Sequence, residues 1–223
     1  MGNQLIIFGA GEMATLARFY FEHDGGRKVA AFTVDDQYVR EPEVDSLSVV
    51  PWSEAIRRYD PSEYDCFVGL GFENLNALRR SKFEACRAAG YTLPTYISTK
   101  AVTWPDLECG QNCLILENNS VNPRVKIGNN VIVWSSNSLG HGSVIEDHVY
   151  VASQVCIAGN CRIGESSLLG VSSAVRDHCR VGAQTFVGMG ACVTHDVPPR
   201  SVILGPNGAV ANPAAAEFVR QRL

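Results

Sequence analysis

The sequence predicts two units in series: a small α/β unit with a mostly parallel sheet, then a parallel β-helix built from six-residue repeats. Three observations carry this. First, from Ile115 to Val193 every sixth residue is aliphatic: Ile115, Val121, Ile127, Val133, Leu139, Ile145, Val151, Ile157, Ile163, Leu169, Val175, Val181, Val187 and Val193. Neither a helix nor a strand repeats in six, so the period belongs to a larger unit. Second, glycine often follows the aliphatic (Gly128, Gly140, Gly164, Gly170, Gly182, Gly188), and a small residue often stands two before it (Ser143, Cys161, Ser167, Ser173, Cys179, Thr185, Ala191). This is the hexapeptide signature of a parallel β-helix, in which three repeats close a triangular coil and the small residue and the glycine serve the corner. Third, the apolar run Leu5 to Phe8 leads into Gly9-Ala10-Gly11-Glu12-Met13-Ala14, a GxGxxA turn.

The first strand, Leu5 to Phe8, is followed by the glycine turn and a helix from about Met13 to His23, which Gly25-Gly26 ends. Val29 to Val34 reads as the second strand, closing on Asp35-Asp36. In such a βαβ unit the glycines allow a tight turn and bring backbone N–H groups toward a phosphate, and an acidic residue waits at the end of the second strand. Pro51-Trp52-Ser53 opens a short helix through Tyr59. Tyr64 to Leu70 is a third strand, Asn74 is placed to cap a helix from Leu75 to Ala89, and a fourth strand from Tyr91 to Ile97 leads to the repeats. Residues 1–98 therefore read as a Rossmann-like unit. It is too small for the two-half dinucleotide fold and sized for a mononucleotide or nucleotide-sugar. Residues 99–205 form the β-helix. Thr103 and Cys109 are imperfect members, as expected of capping coils, and the pattern stops at Pro198-Pro199. Residues 206–223 form a tail with a short helix around Ala214 to Arg222.

Composition narrows the function classes. The chain has 223 residues, 46% hydrophobic and 19% charged, with a formal net charge of −4. No basic run suits a nucleic-acid partner, and no apolar stretch reaches membrane-spanning length. No signal peptide is visible, and the eight cysteines include no CxxC pair. The expectation is a cytoplasmic protein with reduced thiols, several of them filling small-residue positions of the repeat.

His141 departs from the pattern two places past Leu139. The eighteen-residue period puts Gly159, Asp177 and His195 in its column, with Gly159 one coil away, about 5 Å along the axis. A histidine beside a glycine N–H suits acyl transfer: the imidazole takes a proton from an attacking amine or hydroxyl, and the N–H stabilises the oxyanion. The bland alternative is a solvated corner residue. His148 and His178 fall on other faces, and His195 lies about 14 Å from His141 on the same spacing, so no metal site is expected within one chain. No nucleophile elbow is present.

The order of these parts resembles the bacterial nucleotide-sugar N-acetyltransferases of the sialic-acid O-acetyltransferase-like family. The resemblance covers nearly the whole chain, through Phe8-Gly9-Ala10-Gly11, Phe32-Thr33-Val34-Asp35-Asp36, Gly140-His141-Gly142-Ser143, Ile157-Ala158-Gly159-Asn160, Leu168-Leu169-Gly170-Val171 and Gly188-Met189-Gly190-Ala191. It implies that the β-helix is left-handed and that the protein is a homotrimer with acetyl-CoA between neighbouring β-helices. It further implies His141 as general base and Gly159 as N–H donor to the thioester carbonyl. Val171 and Gly188 to Gly190 would line the pantetheine path, and Gly9, Gly11, Asp35 and Asp36 would hold the nucleotide. Two positions depart from the family pattern. Gly142 stands where many members carry Glu or His, leaving Asp177 or a neighbouring subunit to orient His141. Tyr150 stands where some members place a second histidine against the cofactor.

The leading expectation is thus an acetyl-CoA-dependent N-acetyltransferase acting on a nucleotide-linked amino sugar in surface-glycan synthesis, without a metal. Its rivals are O-acetylation of a sugar such as a sialic acid, a non-catalytic nucleotide-sugar-binding subunit, and a zinc-dependent hydratase of the carbonic-anhydrase type.

Overall fold

The computed structural model describes residues 4–206. The tail helix expected around Ala214 to Arg222 lies outside the described residues.

The N-terminal unit runs β1 (Gln4–Phe8), α1 (Glu12–His23), β2 (Val29–Val34), β3 (Glu43–Val44), β4 (Leu47–Pro51), α2 (Trp52–Arg58), β5 (Tyr64–Val68) and α3 (Ala77–Ala88). Its sheet has the order β3-β4-β2-β1-β5, parallel except for β3, which turns back antiparallel on β4. The strand period of two splits β1 between two cores: Leu5 and Ile7 pack with Phe21 of α1, whereas Ile6 and Phe8 pack with Ala55 of α2 and Phe83 of α3.

Leu47–Pro51, to which the sequence pattern assigned no element, is a strand of the sheet, and two sequence expectations are corrected in this unit. The expected fourth strand is only Tyr96–Ile97, and it pairs with Leu114–Ile115, so it opens the β-helix. Asn74 does not cap α3: the helix starts at Ala77 with Asn76 at its N-cap, and residues 74–76 are all left-handed.

From there the chain winds as a three-sided parallel β-helix, fitting the left-handed form. Each side is a stack of two-residue strands eighteen residues apart. The charged face stacks Glu108–Cys109, Lys126–Ile127, Val144–Ile145, Arg162–Ile163 and Arg180–Val181. The small-residue face stacks Ser120–Val121, Ser138–Leu139, Cys156–Ile157, Ala174–Val175 and Cys192–Val193. The third face runs from Tyr96–Ile97 through Leu114–Ile115, Ile132–Val133, Tyr150–Val151, Leu168–Leu169 and Phe186–Val187 to Val202–Ile203. All fourteen repeat aliphatics point inward, and none is more than 4% exposed. Each contributes about 1.5–3 kcal/mol by leaving water. The small-residue positions are buried beside them, including Cys113, Cys161 and Cys179.

The corners work differently from the sequence expectation. The left-handed residue stands three before the aliphatic, and it is usually not glycine: Asn112, Asn118, Asn130, Ser136, His148, Gln154, Asn160 and others all have positive φ. Asn tolerates that conformation well. The glycine after the aliphatic answers to the next coil instead: a Cβ on Gly140 would lie 2.3 Å from the Ala158 carbonyl carbon. The repeat also does not end at the prolines. Val202–Ile203 adds one more rung, sixteen residues after Phe186–Val187 instead of eighteen.

The third face is where the two units join. Its outward residues, Tyr96, Leu114, Ile132, Tyr150 and Leu168, share one core with Leu5, Ile7, Phe21 and Phe67.

Candidate functional site

His141 sits on the corner between the small-residue face (Ser138–Leu139) and the charged face (Val144–Ile145). Its backbone is pinned, since its carbonyl accepts the Asn160 N–H at 2.8 Å. Its side chain is exposed, and among the described residues the imidazole has no hydrogen-bond partner. The ring lies flat against the next coil: a Cβ built on Gly159 would stand 2.5 Å from its Cε1 and 2.8 Å from its Nε2. The ring can keep this position only over a glycine. The Gly159 carbonyl accepts from the His178 N–H, while among the described residues its own N–H donates to nothing. A base and a free amide N–H thus stand side by side on an open corner.

The other members of the column do not join them. Asp177 faces His178, with 3.8 Å between carboxylate and Nε2, and His195 takes a contact from Thr194 at 2.9 Å. Gly142 has its own structural reason: it is the left-handed residue of its corner, φ 68°, and a Cβ there would meet Asn160 Oδ1 at 2.5 Å. His148 is buried, with Nδ1 against Asn130 Nδ2 at 2.9 Å. Burial and the nearby arginines hold its pKa down at about 4. Among the described residues no cluster of three or more His, Cys, Asp or Glu side chains could hold a metal ion.

Val171, Gly188 and Gly190 belong to a different corner, between the third face and the small-residue face. Val171 is 41% and Met189 72% exposed there, which leaves an apolar ridge along that edge. Gly190 is left-handed, φ 68°.

A second site lies at the carboxyl ends of the parallel strands. Gly9, φ 120°, donates its N–H to Thr33 O at 2.7 Å, and a Cβ there would meet Gly69 O at 2.7 Å. Gly11 caps α1 through its backbone alone and is exposed with nothing near its Cβ position. The α1 amides are thus presented to solvent, an arrangement that suits an anion. Asp35 is already engaged, since Lys82 Nζ donates to it at 2.6 Å. Asp36 accepts the Ser53 N–H at the start of α2, and hydrogen bonds from the Ser53 hydroxyl and amide hold it below the ordinary carboxylate range. Lys82 went unread in the sequence because an isolated helical lysine carries no motif.

Beside the glycine turn a cleft of about 610 Å³ runs between the two units. Glu12, Met13 and Phe19 of α1 and Gly71-Phe72 form one wall; Trp134 and Tyr150 of the third face form the other. Trp134 Nε1 donates to the Tyr150 hydroxyl, and the Phe72 ring meets the Tyr150 ring edge-on at 5.1 Å. Tyr150, expected against the cofactor, therefore faces the glycine turn. The cleft opens on the third face, and the His141 corner is the corner opposite that face. One chain does not bring His141 and the glycine turn together.

No family profile matches the chain, and no curated protein matches it in sequence. Solved structures do match. The acetyltransferase domain of PglB from Neisseria gonorrhoeae, in complex with acetyl coenzyme A, is 24% identical at a TM-score of 0.80, covering 90% of this chain and 96% of that one. A histidine mutant of perosamine N-acetyltransferase from Caulobacter crescentus, in complex with CoA and GDP-perosamine, is 22% identical at 0.73, covering 92% and 99%. WeeI from Acinetobacter baumannii is 20% identical at 0.78, covering 92% and 97%. What these share with the present chain is the fold, over nine-tenths or more of its length.

Proposed function

We propose that the protein is an acetyl-CoA-dependent N-acetyltransferase whose acceptor is the amino group of a nucleotide-linked sugar. The observation that carries the reading is the His141–Gly159 pair: an exposed imidazole lying on a glycine whose N–H donates to none of the described residues. His141 accepts the proton that the amine loses as it attacks the thioester. The Gly159 N–H donates to the carbonyl oxygen as it becomes an oxyanion. The tetrahedral adduct then collapses, the C–S bond breaks, and CoA leaves as the thiol after protonation. The same fold in two proteins solved with acetyl coenzyme A, or with CoA and GDP-perosamine, supports this donor and acceptor class.

In this reading the nucleotide lies on the turn of Gly9 and Gly11, with Asp35 and Asp36 at its edge. The sugar enters the cleft walled by Phe72, Trp134 and Tyr150. Acetyl-CoA follows the apolar ridge past Val171, Gly188 and Gly190. Because His141 and the cleft lie on opposite sides of one β-helix, the site is completed by a neighbouring copy, and a closed homotrimer is the assembly proposed.

O-acetylation of a sugar hydroxyl is the second reading. It is favoured by the imidazole's lack of an orienting partner among the described residues, with Gly142 where the family resemblance would place Glu or His. The test is thiol release from acetyl-CoA against UDP-, GDP- and dTDP-linked 3-amino and 4-amino sugars and their hydroxy analogues. Turnover on an amino sugar, lost in His141→Ala, is the expected result. Turnover on hydroxy analogues alone would select O-acetylation, and no binding of acetyl-CoA would overturn both.

A further inference from the structure

The segment between β5 and α3 is unusual in two ways that nothing in the chemistry above requires. Asn74, Leu75 and Asn76 are consecutively left-handed, with φ of 50°, 51° and 68°. Asn accepts this conformation readily, but for Leu75 it costs about 1–2 kcal/mol. Immediately after it, Arg79 is fully buried.

Among the described residues Arg79 has no carboxylate partner. Its Nη1 donates to Gly71 O at 2.6 Å and to Asn76 Oδ1 at 2.9 Å; its Nη2 reaches His148 O at 2.9 Å and Asn130 O at 3.2 Å. Asn76, also buried, sends its own Nδ2 to Ser166 O and Ser167 O at 3.1 and 3.2 Å. A buried cation held only by neutral carbonyls is an expensive way to fill space, and apolar side chains of similar volume commonly serve stability as well or better. What the guanidinium supplies is direction: its planar fork fixes donors toward two units at once. One end holds Gly71, and Phe72 is the next residue, its ring against Tyr150. The other end holds His148 at the corner that leads into Tyr150's strand and Asn130 one coil before it, and the guanidinium itself stands 5.8 Å from the Tyr150 ring centroid.

We propose that Arg79 and Asn76 are positioning residues that clamp the strained 71–76 turn onto the β-helix and so set the Phe72 wall of the cleft against Tyr150. The clamp fixes the width of the acceptor cleft and leaves the donor path untouched. The role in turnover rests on the acetyltransferase reading; the role in geometry does not.

The test compares Arg79→Lys, which keeps the charge and loses the fork, with Asn76→Gly, which accepts the left-handed backbone and loses both bonds to the coil. Hydrogen exchange is followed in the intact, ligand-free protein. Expected in both variants are faster exchange over residues 71–76, with the coil amides still protected, and an acceptor KM raised about tenfold or more. The KM for acetyl-CoA should stay within about twofold, because the ridge is remote from the clamp. Unchanged exchange at 71–76, or equal shifts in both KM values, would overturn the proposal. Should Arg79→Lys fail to fold, Asn76→Gly decides alone. Should the wild type turn over no acceptor, the acetyltransferase reading falls, and exchange at 71–76 still decides the clamp.

Discussion

At the scale of single residues, His141 and Gly159 separate stability from activity. The His141 side chain is exposed and, among the described residues, unbonded, so His141→Ala should leave the melting temperature nearly unchanged while lowering kcat about 10²–10⁴-fold. Gly159→Ala is the more discriminating change. Its methyl would press on the imidazole at 2.5–3.0 Å, and an exposed ring can swing aside at little cost. Thiol-release assays should show turnover falling by about 10²-fold, with unfolding by heat barely shifted. His148 answers to pH instead. Burial lowers its pKa from the ordinary 6.5 to about 4, so between those values the unfolded chain binds the proton and the folded chain does not. Stability is therefore complete above about pH 6.5 and declines as pH falls toward 4. His148→Asn keeps a residue suited to the left-handed corner and removes the titration. Denaturant unfolding from pH 4 to 7 should show a flatter profile in this variant, by an amount on the order of 2 kcal/mol.

At the scale of the repeat, two kinds of glycine are set apart by what surrounds them. Gly140 has backbone of the next coil at 2.3 Å from its Cβ position, whereas Gly190 has open space and a φ of 68°. Gly190→Ala should cost about 1–2 kcal/mol, the ordinary strain of a left-handed alanine. Gly140→Ala should cost more, because a carbonyl in a stacked rung cannot step aside without parting two coils. Melting curves of the two variants would rank them, and the reverse order would mean that the coils are looser than drawn. The aliphatic spacing alone identified the rungs, but it put the corner strain on the wrong residue. The Asn, Ser, His and Gln residues three before most of the aliphatics were the available signal, since polar residues accept turn conformations.

At the scale of the molecule, the decisive fact is opposition: the glycine turn and its cleft open on one face of the prism, and His141 projects from the far corner. A functional centre made from both must draw on two copies. Gly11→Glu and His141→Ala offer a test by subunit mixing. The exposed, open position of Gly11 tolerates the side chain, while the added carboxylate repels a phosphate at the α1 N-terminus. Each variant alone should be inactive. In randomly mixed assemblies about a quarter of composite sites pair two intact halves, and activity should return in that proportion. No recovery after proven mixing would place the whole site within one chain.

What the sequence determined by itself is the solenoid and its column. A six-residue period of aliphatics fixes which side chains point inward, and closure in eighteen puts Gly159 against His141, because both follow from local geometry repeated without interruption. The βαβ turn was legible for the same reason, as strand, glycines and helix are contiguous. The tertiary structure decided which face is covered, and with it the place of Tyr150, the burial of Arg79 and the distance between base and cleft. These depend on docking two units whose contacting residues lie far apart in the chain: Arg79, for example, reaches carbonyls of Asn130 and His148. A trace of that docking was present all along. The outward residue of every third rung, Leu114, Ile132, Tyr150, Leu168 and Phe186, is apolar, whereas the same position on the charged face carries Glu108, Lys126, Val144, Arg162 and Arg180, charged in all but one. Periodicity of six shows what faces in; only the period of eighteen, read on the outside, marks the face that another part of the chain must cover.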